Sequence, residues 1–170
     1  MIPRLETERL ILRAHQPDDF DPYFDMWGEP DVVRFIGGRP FTREESWSRF
    51  LRQAGIWHNL GFGFFAIEEK ETGRFIGEGG FHDLRRAIEP SLDGTLEAGW
   101  VLASSGHGWG YATEAMTAAI TWADVAFPER KMTCIINPDN LASLRVAGRL
   151  GFKELARTTY AGNPVTVFER

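Results

Sequence analysis

Residues Leu96–Thr117 predict a strand, a glycine-rich turn and a helix in immediate succession, and this unit constrains the fold more than any other stretch. The apolar run Trp100–Leu102 fits a strand, and small residues over Ala103–Gly106 interrupt it. The next apolar residues recur at three- and four-residue steps, as on one face of a helix. They are Ala112, Ala115, Met116, Ala119, Ile120 and Ala123. We therefore expect a helix from about Gly108 to Phe127, ended by Pro128.

The turn between this strand and this helix has the chemistry of an anion site. The first turn of a helix presents backbone N–H groups without intrahelical partners, and the helix dipole places about half a positive charge there. Gly108 and Gly110 let a phosphate approach the backbone closely. A lone Gly-x-Gly more often only shapes a tight loop, but the strand before it and the amphipathic helix after it favour phosphate binding.

Two common phosphate motifs do not fit this turn. A P-loop requires a lysine after its glycines, and none follows here. A dinucleotide fingerprint requires a third glycine where this chain has Thr113, and it should open an N-terminal βαβ unit. A general nucleotide-binding module stays a distant alternative.

The turn resembles the signature of the GNAT superfamily of N-acetyltransferases, Arg/Gln-x-x-Gly-x-Gly/Ala. The run from His107 to Ala112 covers its six positions, with Gly108, Gly110 and Ala112 among them. In that family the loop amides hold the pyrophosphate of acetyl-CoA, and the preceding strand pairs with the pantetheine arm. The resemblance implies that the arm lies along Trp100, Val101 and Leu102, and that the pyrophosphate lies at His107, Gly108, Trp109, Gly110, Tyr111, Ala112 and Thr113.

His107 departs from the pattern, since the family usually has Arg or Gln there. An imidazole ordinarily gains its proton near pH 6.5, about the middle of the physiological range. We therefore expect the affinity for CoA to rise on acidification. Trp109 and Tyr111 either cover the cofactor or pack against the helix, and Arg145 and Arg149 either meet the 3′-phosphate of CoA or are solvated.

The resemblance extends over nearly the whole chain. Its opening resembles the Rim-type branch of the family, which is named for enzymes that acetylate ribosomal-protein N-termini and includes many unassigned members. The matching residues are Thr7, Arg9, Leu10, Leu12 and Arg13. Near the other end, Asn-x-x-Ser, a short helix and Gly-Phe match at Asn140, Ser143, Gly151 and Phe152. By this similarity Asn140 and Ser143 are expected to contact the cofactor.

The order of the elements predicts one α+β domain over residues 1–170. Strands are expected at residues 10–13, 64–68, 75–81, 96–102, 132–136, 153–160 and 164–169, and helices after Pro17 and over residues 42–60 and 140–150. Hairpins make most of the sheet antiparallel, and the helical crossover makes one parallel pair. With the resemblance, this is a three-layer, GNAT-like mixed sheet flanked by helices, whose splayed parallel strands form the acetyl-CoA cleft.

Composition excludes several classes of protein. The net charge is −5 and the basic residues are scattered, so no nucleic-acid partner is expected. No apolar segment has the length of a signal peptide core or approaches the ~20 residues of a membrane span, so a cytoplasmic protein without membrane partners is expected. The only cysteine, Cys134, predicts a buried inert thiol and no intramolecular disulfide. The four isolated histidines predict no metal site.

Acetyl transfer from a thioester to an amine requires a neutral amine, a polarised carbonyl and a proton for the departing thiolate. By similarity Ser143 is the candidate proton donor, and the alternative is an exposed or back-bonded hydroxyl. Glu97 is the candidate base, because a carboxylate in a dry cleft can have a raised pKa. The alternative for Glu97 is a sheet-face charge or an ion-pair partner. Glu78 and His82 are rival bases, and direct attack with solvent taking the proton is a further alternative.

The predicted function is direct transfer of the acetyl group from acetyl-CoA to a primary amine, without a covalent enzyme intermediate. A non-catalytic CoA-binding sensor or regulatory domain is the alternative. The acceptor stays open among a protein N-terminus, a free amino acid, a polyamine and an antibiotic amine. Phe24, Trp27 and Trp57 are candidate walls of its pocket. A homodimer, through sheet edges or helix packing, is also left open.

Overall fold

Eight strands form one mixed sheet in the computed structural model, which describes residues 1–170. They are β1 (Leu5–Glu6), β2 (Leu10–Arg13), β3 (Phe64–Glu69), β4 (Phe75–His82), β5 (Leu96–Leu102), β6 (Met132–Ile136), β7 (Lys153–Tyr160) and β8 (Asn163–Glu169). Their spatial order is β1-β2-β3-β4-β5-β6-β8-β7. Every neighbouring pair is antiparallel except β5 and β6, which are parallel. The predicted α+β fold with one parallel pair is confirmed.

Five helices flank this sheet. They are α1 (Phe20–Gly28), α2 (Pro30–Val33), α3 (Arg43–Leu60), α4 (Tyr111–Ala126) and α5 (Leu141–Arg149). Val101 of β5 packs in a cluster with α1, α2 and Phe50 of α3, whereas its neighbour Leu102 packs with α4. Successive residues of a strand point to opposite faces, so these helices cover opposite faces of the sheet. None of the helices has both the length and the apolar character needed to cross a membrane.

The parallel strands β5 and β6 pair only at their first residues. Leu96 lies opposite Met132 and Glu97 opposite Thr133, and the pairing ends there. Beyond that point β6 continues to pair with β8 on its other side. The two strands therefore splay apart over Ala98–Leu102, and their facing backbone groups are left without a ladder partner. This is the cleft that the sequence predicts.

The helix expected from Gly108 begins three residues later, at Tyr111, and that expectation is wrong. Gly108 and Gly110 have φ angles of +81° and +79°, outside the right-handed helical region. The turn therefore extends to Gly110, and it presents more free backbone than expected. The expected C-terminal end of the helix agrees with the structure, because Phe127 is the C-cap of α4.

Candidate active site

A cavity of about 770 Å³ opens where β5 and β6 diverge. Its walls come from α3, β4, β5, β6, the first turn of α5 and the β7–β8 hairpin. Among the predicted site residues, it brings together Glu97, Trp100, Val101, Asn140 and Ser143, and the rival bases Glu78 and His82 also line it. Leu102 and residues 107–113 do not line the cavity; they lie where β5 leads into α4.

The backbone is bare on the β5 side of the cavity. Gly99 lines this wall, and a Cβ added there would lie 2.7 Å from Cζ of Phe64. Such a contact is too short, so the position excludes a side chain. An extended ligand can therefore reach the free backbone edge of β5 beside Trp100 and Val101.

The turn before α4 presents a run of free donors. No backbone amide from Gly108 to Thr113 donates a hydrogen bond within the protein, and the first helical bond runs from the amide of Glu114 to the carbonyl of Gly110. The positive φ angles at Gly108 and Gly110 direct these amides around one turn. Successive free amides at the positive end of a 16-residue helix form a site for a phosphate group.

The side chain of His107 is hydrogen-bonded within the protein. Its Nε2 lies 2.9 Å from the carbonyl oxygen of Leu102, so Nε2 carries a proton and donates it. The ring thus ties the turn to the end of β5. Only Nδ1 is left for a phosphate, and it is a donor only when the ring is protonated. The expected gain of CoA affinity on acidification stays a prediction, now assigned to Nδ1.

The first turn of α4 is anchored to the N-terminal strands. Oε1 of Glu114 accepts hydrogen bonds from Oγ1 of Thr7 at 2.6 Å and from the amide of Arg9 at 2.9 Å. Oη of Tyr111 donates to Oε1 of Glu69 at 2.8 Å. These contacts join the opening residues Thr7 and Arg9 to the helix that follows the glycine-rich turn. Tyr111 packs into the protein, whereas Trp109 is 63% exposed beside the turn.

Glu97 is an ion-pair partner at the centre of the cavity. Its Oε1 lies 3.0 Å from Nε2 of His82, and Nε of Arg86 donates to both of its oxygens at 2.9 Å. Burial by itself would raise the pKa of Glu97, but the hydrogen bonds and charges of His82 and Arg86 outweigh burial and lower it. The expectation of a raised pKa is therefore wrong. Glu97 is an ionised carboxylate that orients His82.

Glu78 is the second carboxylate of the cavity. It lies opposite Val101 across the β4–β5 pair, and its side chain is 1% exposed. Nε2 of Gln53 donates to its Oε2 at 3.0 Å, and Nε2 of His15 lies 3.2 Å from the same oxygen. Gln53 thereby joins α3 to the sheet at the cavity.

The first turn of α5 presents Asn140 and Ser143 to the cavity. Oδ1 of Asn140 accepts from the amide of Ser143 at 3.2 Å, so Asn140 caps the helix. The Ser143 hydroxyl makes no hydrogen bond within the protein. Arg145 and Arg149 are exposed, form no ion pair and lie outside the cavity lining.

Cys134 lines the cavity from β6, but it is 1% exposed. Burial, with the charge of Glu97, raises the pKa of its thiol, which agrees with the predicted inert cysteine. Of the candidate pocket walls, Trp27 lines the cavity. The expectation for Phe24 and Trp57 is wrong: Phe24 packs beside α3, and Trp57 packs against Phe65 while its Nε1 donates to a backbone carbonyl at 2.8 Å.

The lining residues that were not singled out from the sequence include Arg49, Arg52, Gln53, Arg86 and Tyr160. The first three occupy one face of α3 at three- and four-residue steps, a signal that helical periodicity contains. Arg86 lies in an irregular loop, and its Cζ is 5.0 Å from the centre of the Tyr160 ring. Since these two residues meet only through the fold, no sequence pattern could have paired them.

Comparisons with known proteins identify the family and the fold. A family model described as an acetyltransferase (GNAT) domain matches residues 9–153. The chain is 30% identical to protein YkkB of Bacillus subtilis (strain 168), over 98% of this chain and 95% of that protein. It is 30% identical to the crystal structure of an acetyltransferase from Agrobacterium tumefaciens str. C58, with a TM-score of 0.86 over 100% of this chain and 95% of that one.

A more distant likeness concerns the fold. The structure of RimL, a ribosomal L7/L12 alpha-N-protein acetyltransferase in complex with coenzyme A, is similar with a TM-score of 0.78 at 19% identity. The similarity covers 99% of this chain and 97% of that chain.

Proposed function

The chain belongs to the GNAT acetyltransferase family, and from that premise we propose that it moves the acetyl group of acetyl-CoA to a primary amine by direct transfer. The observation that carries the proposal is the continuity between two features. The splayed strands β5 and β6 leave backbone groups free along the cavity, and β5 leads directly into the run of free amides at the start of α4. A long ligand with a phosphate at one end fits that arrangement.

The residues of the cleft and of the glycine-rich turn fit acetyl-CoA as the acetyl donor. The free edge of β5 at Trp100, Val101 and Leu102 would hold the pantetheine arm, and the amides of Gly108–Thr113 would hold the pyrophosphate. Bound acetyl-CoA supplies an activated acyl group, and the protein needs no covalent intermediate. The buried thiol of Cys134, whose pKa is raised, is a poor nucleophile for one.

The carboxylates would prepare the amine. An amine arrives mostly as an ammonium ion, and the ionised Glu97 attracts it. We propose that the pair of Glu97 and His82 takes its proton, with His82 as the group that exchanges the proton and Glu97 as the carboxylate that orients it. The neutral amine then attacks the acyl carbon. As the tetrahedral intermediate collapses, Ser143, whose free hydroxyl lines the same cavity, would give its proton to the departing thiolate and take one from the nitrogen that becomes the amide.

A titration with acetyl-CoA, CoA, ATP and NAD, followed by thermal unfolding, tests the donor. A ligand that binds only the native state raises the Tm. We expect stabilisation by acetyl-CoA and CoA alone, and loss of that effect in Gly108→Glu with the fold retained. Preference for ATP or NAD would support a nucleotide-binding module instead, and no response to millimolar CoA would overturn the enzyme assignment.

A second assay separates an enzyme from a CoA-binding sensor. Both would bind CoA, but only the enzyme releases free CoA thiol steadily when acetyl-CoA and an acceptor amine are present. Thiol release that depends on the amine, with a matching acetylated product, supports the proposed function. CoA binding without turnover across chemically diverse amines would favour the sensor.

A further inference from the structure

One wall of the cavity is formed by arginines. Arg49 and Arg52 lie on the face of α3 that also presents Gln53, and Arg34, just after α2, joins them in the lining. Residues three and four positions apart on a helix are neighbours, so Arg49, Arg52 and Gln53 form one continuous surface. This wall faces the sheet strands that present Glu78 and Glu97.

These three arginines have no acidic partner. Neither Arg34, Arg49 nor Arg52 forms an ion pair in the protein, whereas Arg86, which also lines the cavity, is paired with Glu97. The chain has 24 acidic and 19 basic residues, so carboxylates are not scarce. Three unpaired guanidinium groups around one cavity therefore leave an excess of positive charge at a place where a ligand can reach it.

Arg49 is held in a fixed orientation. Its Cζ lies 4.4 Å from the centre of the Trp27 ring and 5.0 Å from that of the Phe41 ring, so the planar guanidinium packs against two aromatic side chains. Its Nε is buried without a hydrogen-bond partner. A guanidinium fixed in this way loses little freedom when it binds a carboxylate through two parallel hydrogen bonds.

Arg52 stands beside it at the rim. Partial burial and the positive charge of Arg49 lower the pKa of Arg52 from its ordinary value. The two like charges therefore repel each other in the absence of an anion between them. A bound anion would remove this repulsion and satisfy both groups.

The negative wall lies close to the positive one. The hydrogen bond of 3.0 Å from Gln53 to Glu78 joins the two walls, and Arg49 is one helical turn from Gln53, which places their Cβ atoms roughly 6 Å apart. The cavity thus has unpaired guanidinium groups at α3 and carboxylates at β4 and β5, of which Glu97 is paired with Arg86. A ligand that carries both an amine and a carboxylate complements both ends.

We infer that the acceptor amine carries a carboxylate, which binds Arg49 and Arg52 while its amine faces Glu78 and Glu97. This inference rests on the proposed function and names the substrate class of that same site. A polyamine or a polycationic antibiotic would place positive charge against the arginine wall and be rejected. The carboxylate can belong to a free amino acid or to an acidic residue at a peptide N-terminus, and the chemistry of recognition is the same.

Matched pairs of acceptors test the inference and separate the two sources. The first pairs are free L-amino acids and their C-terminal amides, which differ only in the carboxylate at that end. The second are dipeptide amides that begin with Asp or Asn. Within the pair that the enzyme prefers, we expect kcat/KM to be at least about tenfold higher for the member with the carboxylate than for its matching amide. A charge-assisted hydrogen bond to a carboxylate is among the stronger hydrogen bonds.

Variants assign the effect to the arginine wall. Arg49→Gln with Arg52→Gln should lower kcat/KM for the acid about 100-fold, mainly through KM, and leave the matching amide nearly unchanged. The control is Arg43→Gln on the same helix, whose arginine is exposed, pairs with Asp21 and lies outside the cavity. If the arginines only support the fold, the Tm falls while the acid-to-amide ratio stays the same, which would overturn the inference.

A binding measurement decides the matter if no amine in the panel is turned over. The same acids and amides are titrated against the protein, with and without CoA, and followed by thermal unfolding. Stabilisation by acids that is lost in the double arginine variant supports the inference; no stabilisation at millimolar acid overturns it. Failure of the proposed function is distinct, because it appears as absence of CoA binding or as absence of thiol release.

Discussion

Ser143 presents a half-buried hydroxyl to the cavity at the first turn of α5, and no group of the protein is its hydrogen-bond partner. A serine within a helix commonly bonds back to the carbonyl one turn earlier, as Thr117 and Thr121 do in α4. Ser143 does not, so its hydroxyl can bind a ligand. That freedom supports its proposed role as proton donor.

Replacement of Ser143 by alanine tests this role. In Ser143→Ala we expect kcat to fall about 100-fold, because a positioned proton donor contributes at least about that factor. The KM for acetyl-CoA should change little. Steady-state kinetics by thiol release measure both constants, and Ser48→Ala, at an exposed position of α3, is the control. Unchanged kcat in Ser143→Ala would assign protonation of the thiolate to another group.

At the scale of elements, glycines in β4 allow the sheet to pack closely with its surroundings. A Cβ at Gly80 would lie 2.3 Å from the carbonyl oxygen of Gly63, and φ at Gly80 is +152°. A Cβ at Gly79 would lie 3.1 Å from Sδ of Met116 in α4. The glycine-rich strand thus sets the distance between the sheet and the helix that presents the phosphate turn. The turn itself is held by Glu114.

Removal of the Glu114 carboxylate should loosen the start of α4. In Glu114→Ala, the amide of Arg9 and the hydroxyl of Thr7 lose their acceptor, and we expect the free energy of unfolding to fall by about 2 kcal/mol. Urea unfolding measures the change. Glu129→Ala is the control, because Glu129 is exposed and forms no ion pair. Equal stability of the two variants would show that the anchor contributes nothing.

At the scale of the whole molecule, acidic groups with lowered pKa values link stability to pH. The pKa of Glu97 is lowered by His82 and Arg86 against the effect of burial, and that of Glu114 by Thr7 and Arg9, again against burial. A carboxyl whose pKa is lower in the folded state stabilises the protein above its unfolded pKa of about 4.3. That contribution is lost as the pH falls through the folded value.

Glu97→Gln isolates one of these contributions. At pH 7 the variant leaves Arg86 without its carboxylate, and we expect a loss of about 3 kcal/mol in the free energy of unfolding. The difference from the original protein should shrink as the pH falls below about 4.3, because the original carboxylate is then progressively protonated. Urea unfolding at several pH values measures it, with Glu71→Gln, at an exposed residue without an ion pair, as control. A difference that is independent of pH would contradict the linkage.

Local chemistry explains which features the sequence predicts well. Periodic apolar positions and caps define α3, where Thr42 and Glu45 form a capping box with hydrogen bonds of 3.2 and 2.8 Å. Alternation of apolar and polar residues along the strands, together with turn residues between them, defines the hairpins. The glycine-rich turn combines local backbone freedom with a helix start, so its residues predict a phosphate site. Its two positive φ angles delay the helix to Tyr111.

The sequence by itself therefore determined the elements, the parallel crossover and the glycine-rich turn that we propose binds phosphate, because each depends on residues close together in the chain. Only the tertiary structure decided the state of Glu97, since Arg86 and His82 reach it from other elements and their charges outweigh its burial. The arginine wall is likewise a product of the fold. The sequence does not distinguish Arg34 and Arg49 from other basic residues. Only the fold brings them to the cavity that Glu78 also lines, with no carboxylate to pair with them.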